Sequence, residues 1–380
     1  MPPPPPAPSL EALKARAGAA RKWADPMASA GGGSTGGARD DWLSSATPAP
    51  DLFVIQWSTL DKISTSDNGS AGVIFCRCAS GTFVVKGCAT VAQEMFSAQL
   101  ARVLGVAAPR ARLVSWPGNE WQMLQKHVKR YLLRRGLNDP SAATLRRKVE
   151  KELDRPHILI FDLVPGVGFD SMLPQELADK LERTGGMREV GAVCGLDVLL
   201  NNADRLPLLW HNNGNAANLM FCESRNRVVA IDQAAFSVPS GAGRDDYLCS
   251  VRQLCEELCV SSSTTRAEIA SPTVARMCVR LREESGVDLD PSDRGSATRL
   301  LQEGLRSVLR RAACLSAADV ELLWNATNAL SRAEVRAPKC CSLKCAACCC
   351  ADLLIVLCHA CTPGRALGYC VGRFDEARLL

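Results

Sequence analysis

A change of hydrophobic period between Asp51 and Gly105 limits what this chain can fold into more than any other feature. Three short runs, LFVIQW, GVIFCRC and GTFVVKG, are rich in β-branched and aromatic residues and are separated by the turn-forming stretches TSDNGSAG and ASG. That is the pattern of antiparallel strands joined by hairpins. The next stretch, ATVAQEMFSAQLARVLG, changes to helical spacing, with Thr90 and Gln93 placed as a capping box and Gly105 as a stop. The expectation is a small antiparallel sheet followed by one helix.

Further along come a strand at ARLVSW, a basic helical insertion from about Glu120 to Leu153, and a strand at HILIFDLV that ends in Pro165-Gly166. Helical segments follow at LPQELADKLE and MREVGAVCGLDVLLNN, then an Asn-rich loop from Ala203 to Asn218 and strands at NLMF and RVVAID. Beyond Pro239 the spacing is mainly helical to about residue 336. A β-rich half joined to a helix-rich half is an α+β, two-lobed architecture. The expected division is 1–49, 50–337 with lobes at about 51–165 and 166–337, and a tail at 338–380. The first of these holds MPPPPPAPSL, GGGSTGG and ATPAP, which bury too little apolar surface to offset the entropy of ordering, so disorder is expected there.

Charge excludes one function class. The formal charge is +5, yet residues 126–155 alone hold 10 Lys/Arg against 4 Asp/Glu. Basicity is local and aromatics make up only 5%, which argues against a general nucleic-acid binder with its spread basic face and stacking rings. The basic run suits an acidic partner or an anionic headgroup, or simply a solvated helix face. Of the 19 cysteines, 10 are scattered before residue 339 and 9 crowd between Cys340 and Cys370. The scattered ones read as buried thiols in a reducing compartment. With no signal peptide or membrane-spanning run in the sequence, a cytoplasmic location is expected. Cys345-x-x-Cys348 and Cys358-x-x-Cys361 have zinc-ligand spacing, but the apolar ADLLIVL between them and the surplus cysteines suit acylation or a poorly ordered tail equally.

Phosphoryl transfer asks little covalent chemistry of a protein; phosphates must be held, a metal placed and a hydroxyl oriented in line. Five polar residues stand in an order that meets those needs. Lys86 ends the strand GTFVVK, where an ammonium can reach nucleotide phosphates, and Glu94, in the second turn of the capped helix, can pair with it. Asp204 follows the apolar helix ending LLNN, where a carboxylate can take the proton of a substrate hydroxyl or close an Asx turn. Asn218 opens NLMF and can offer its side-chain oxygen to magnesium, or only turn the chain. Asp232 follows VVAI at the end of a buried strand, a natural place for a Mg²⁺ ligand. The turn from Ser66 to Gly72, with Gly69, Ser70 and Gly72, can lay backbone N–H groups over phosphates, although it lacks GxGxxG. Each residue alone has an ordinary reading, and their order carries the argument.

The stretch LDVLLNNADRLPLLWHNNGNAANLMF followed by VVAIDQ resembles the catalytic segment of the actin-fragmin kinases, a family of atypical protein kinases, and GTFVVKG and HILIFDLVPG fit the same pattern. The likeness covers about residues 51–240. It implies a protein-kinase-like fold, ATP with Mg²⁺, and transfer of the γ-phosphate to a Ser/Thr hydroxyl of a protein, with actin as the substrate class. By position it implies Lys86 on phosphates with Glu94 as its partner, Asp204 as catalytic base, and Asn218 and Asp232 on the metal. Backbone groups of Phe161, Asp162, Leu163 and Val164 would meet adenine. A small-molecule or lipid kinase on the same scaffold, or a non-catalytic scaffold protein, would share this layout; retention of all five polar positions weighs against the last.

Overall fold

In the computed structural model the residues described are 43, 46–66, 72–87, 91–135, 140–206, 208–210, 212, 214–236, 242–260, 271–287, 296–315, 319 and 323. Gly69, Ser70, Thr90, the Pro-rich N-terminal stretch through residue 40, and the Cys-rich tail lie outside the described residues. Five strands form an antiparallel sheet: β1 (Lys62–Thr65), β2 (Val73–Cys78), β3 (Gly81–Gly87), β4 (Ala111–Ser115) and β5 (His157–Asp162), in spatial order β1-β2-β3-β5-β4. A tight turn at Ala79-Ser80 joins β2 to β3 and pairs Cys78 with Gly81. Gly81 has φ +111°, and a Cβ there would lie 2.6 Å from the Ala49 backbone, so both conformation and space demand glycine.

Alternation along the strands gives the sheet two apolar faces. Helix α1 (Val91–Val103) covers one of them, packing Val91 and Met95 on Leu159. Helices α2 (Asn119–Arg134) and α3 (Pro140–Leu153), which form the basic insertion, cover the other. Leu124, Val128 and Leu132 recur every fourth residue in α2, as do Leu145, Val149 and Leu153 in α3, and this spacing makes one stripe per helix. The insertion therefore seals the sheet with its apolar stripes and keeps most of its charges outward, Glu152 being a buried exception.

The expected strand LFVIQW does not form. Asp51 Oδ1 accepts from the Phe53 N–H at 2.8 Å, which turns the chain, and Phe53 and Val54 are exposed while Leu52 and Trp57 are buried. Trp57 sits in a 3₁₀ turn (Trp57–Thr59), edge-on to Phe83 at 5.2 Å between ring centroids, and its Nε1 donates to Glu120 Oε1 at 3.0 Å. The edge strand is the polar KIST instead, specified by pairing with β2 rather than by its own hydrophobicity.

Among its described residues the second half holds a three-stranded antiparallel sheet, β6 (Val167–Gly168), β7 (Leu219–Cys222) and β8 (Arg227–Ala230), and helices α4 (Pro174–Thr184), α5 (Gly186–Leu200), α6 (Ala242–Val260), α7 (Pro272–Ser285) and α8 (Ser296–Ala313). Helix α5 is buried along nearly its whole length. It lies backbone to backbone with α8, since a Cβ at Gly191 would fall 1.9 Å from the Leu301 carbonyl oxygen and one at Gly304 would fall 1.8 Å from that of Arg188. This close packing fixes the C-terminal end of α5, from which the loop carrying Asp204 emerges. None of the described helices is long and apolar enough to cross a membrane.

Candidate active site

Lys86 is the penultimate residue of β3, on the face toward α1, and its Nζ lies 2.9 Å from Glu94 Oε1 and 2.6 Å from Asp232 Oδ1. Lys86 and Glu94 are buried, whereas the Asp232 side chain is 46% exposed. Burial opposes the charged amine, but the carboxylates of Glu94 and Asp232 outweigh it and raise the Lys86 pKa above the ordinary lysine value. The ammonium so held lies where the five-stranded sheet meets Asp232, which follows β8 of the second half.

Asp204 and Asn218 meet on the other side of Asp232. The Asn218 Nδ2 donates to Asp204 Oδ2 at 3.0 Å and to the Asp204 carbonyl oxygen at 3.1 Å, and the Asp204 N–H donates to Asn202 Oδ1 at 3.1 Å. Burial and then the negative charge of Asp232 push the Asp204 carboxyl above its usual range. Asn218 closes a 3₁₀ turn (Ala216–Asn218) immediately before β7. Its own carbonyl accepts from the Ile231 N–H at 3.0 Å, which fixes the spacing between Asn218 and Asp232. Asp232 has φ +52°, in the left-handed region that residues with a side chain seldom adopt.

A buried network that sequence reasoning passed over holds this loop. Arg205, fully buried, pairs with Asp197 Oδ1 and donates to the carbonyl oxygen of Ile231 at 3.2 Å, to that of Asp232 at 3.4 Å and to Gln233 Oε1 at 2.6 Å. Asn202 Nδ2 adds a bond of 3.1 Å to the same Asp197 oxygen. Burial pushes Asp197 up to about 7 against the pull of the guanidinium. The sequence did carry a signal: Asp197 interrupts the apolar run from Val190 to Leu200, and a carboxylate buried there requires a charged or hydrogen-bonding partner.

The segments assigned to a nucleotide are placed less uniformly. The Gly72 N–H donates to Glu152 Oε1 at 3.2 Å, so it is directed at α3. Asp162 is buried in a two-pronged pair with Arg110, at 2.7 and 2.9 Å, and its N–H donates to the Arg110 carbonyl. Phe161 belongs to the ladder, paired with Val84 and Ala111. Among the described residues the backbones of Leu163 and Val164 take no hydrogen bond, which leaves them for a ligand. The remaining oxygens, Asn218 Oδ1 and Asp232 Oδ2, are hard donors with no hydrogen bond among the described residues. They fit a magnesium ion, which takes one or two protein oxygens and completes its shell with phosphate and water.

The sequence model for the family described as "Actin-fragmin kinase, catalytic" matches residues 43–237, a span that contains every side chain named above. A protein of Dictyostelium discoideum that carries an actin-fragmin kinase name is 22% identical over 279 residues. That match takes in 68% of this chain, and the chain spans 63% of the length of the relative.

Proposed function

This chain belongs to the actin-fragmin kinase catalytic family, and we propose that it transfers the γ-phosphate of Mg·ATP to a Ser/Thr hydroxyl of a protein, with actin or an actin complex as acceptor. The family's protein-kinase-like fold agrees with the five-stranded sheet and the helical second half. The observation that carries the reading is the meeting of Lys86, Glu94 and Asp232 from three separate elements, with Asp204 tied to Asn218 beside them. Actin is proposed from the family and from the name of the relative.

When bound, Mg·ATP supplies the phosphoryl group and the cation that neutralises its charge. Lys86, held by Glu94 and Asp232, would bind phosphate oxygens, and Asp232 with Asn218 Oδ1 would hold the metal. Asp204 keeps Oδ2 on Asn218 and presents Oδ1 to the acceptor hydroxyl. As the hydroxyl oxygen bonds to phosphorus and the bond to the ADP oxygen breaks, the hydroxyl proton passes to Asp204. Arg205 carries no proton in this scheme; it holds the backbone of Ile231 and Asp232 so that the two carboxylates keep their separation.

The test is transfer of labelled γ-phosphate to a panel of acceptors: actin, actin bound to a severing protein, phosphoinositide vesicles and small alcohols, each with wild type and Asp204→Asn. Label on a protein Ser or Thr that is lost in the variant is the expected result. Label on lipid or alcohol alone, or equal labelling by the variant, contradicts the proposal.

A further inference from the structure

Helices α2 and α3, with the end of β4 and the residues leading into β5, enclose a groove of about 760 Å³. They cover the face of the sheet opposite to that of Lys86. The groove floor is apolar, built from Val128, Leu132, Val149 and Leu153. Trp116, more than half exposed, and Trp121 flank it. Lys129, Arg147, Lys151 and Arg155 line it against two acids, Glu150 and Asp154. Among the described residues none of those four cations makes an ion pair or hydrogen bond. Two donors of the lining residues, Trp121 Nε1 and Arg155 Nε, are shut off from solvent with no acceptor, a state that folded proteins rarely leave unresolved.

We propose that this groove docks an acidic protein segment bearing apolar anchor residues. The surplus of cations unpaired among the described residues calls for carboxylates, and the apolar floor beside the tryptophans calls for an aliphatic or aromatic side chain. Glu150 and Asp154 select against a uniform polyanion such as a nucleic acid, because a ligand of unbroken negative charge meets two carboxylates inside the groove. A peptide places an apolar side chain or a backbone N–H there instead. A concave site between two helices also suits a chain segment better than a flat membrane surface.

The experiment is fluorescence anisotropy of a fluorescein-labelled Glu/Asp-rich peptide with leucine anchors, titrated with the full chain in the absence of nucleotide. Binding is thus read separately from phosphoryl transfer, and either proposal can fail without the other. Saturable binding is expected, weakened about tenfold or more in Lys129→Glu/Arg147→Glu and by a comparable factor when serines replace the leucines. Arg147→Gln/Lys151→Gln, a milder exposed change checked by its melting temperature, stands in should the charge reversal fail to fold. Absence of saturable binding, equal affinity for both proteins, or indifference to the leucines overturns the proposal. Tighter binding to phosphatidylinositol bisphosphate vesicles, lost in the same variants, overturns it in favour of a membrane site.

Discussion

At the scale of single residues the account turns on which carboxylates are charged and what holds them. Asp204 has its pKa raised by burial and by Asp232, so its deprotonated, proton-accepting form is lost on acidification at a pH above that of an ordinary aspartate. The kcat/KM profile, which reports the free enzyme, is predicted to fall on the acid side with a midpoint above 3.8, and kcat/KM measured from pH 4 upward checks it. Asp197 makes a different prediction. Its pKa rises from 3.8 to about 7 on folding, so the unfolded chain releases this proton first. The contribution of Asp197 to stability is therefore present below 3.8, declines as pH rises from there to about 7, and is flat above. Asp197→Asn removes that slope from the urea midpoints, because an amide does not titrate over this range. Unchanged midpoints at every pH would show that the pair does not hold the loop.

Elements decide how these residues are presented. Helix α5 can carry the Asp204 loop against β7 and β8 because Gly191 lets the α8 backbone approach to contact. Gly191→Val is predicted to cost about 3 kcal/mol or more, since no rotamer relieves a clash with a carbonyl oxygen; thermal melts measure it. On the other face of the first sheet, Leu124→Ala in α2 removes a fully buried side chain and is predicted to lower stability by about 2–5 kcal/mol. Nucleotide affinity of the folded protein stays unchanged, because α2 and Lys86 lie on opposite faces. Urea titration and a nucleotide titration on the same sample distinguish the two effects. Periodicity made most elements legible: β2, β3, α1 and the helix carrying Asp197 fall where apolar spacing changes. The failures have physical causes. LFVIQW is apolar enough for a strand but is turned by Asp51 and spends Leu52 and Trp57 on the core, whereas KIST becomes a strand only because β2 offers it a partner.

For the whole molecule, the order Lys86, Glu94, Asp204, Asn218, Asp232 is legible because each residue type sits at the end of a recognisable element. What sequence cannot express is the joining of distant segments by burial. Arg205 reads as one more cation in a polar loop until the fold removes all its solvent and brings Asp197 and the carbonyls of Ile231 and Asp232 around it. The basic insertion is a similar case, since a charge run at helical spacing discloses neither the sheet that it seals nor the groove it encloses. The two tasks proposed for the site, holding Mg·ATP and accepting a proton, are predicted to be separable. The most direct test is calorimetric titration of Mg·ATP into Asp204→Asn beside its kcat for phosphoryl transfer. A Kd within about threefold of wild type with kcat reduced about 10²–10⁴-fold is the predicted result. A variant that turns over like wild type, or that loses nucleotide binding together with turnover, would contradict the assignment of Asp204 as the base.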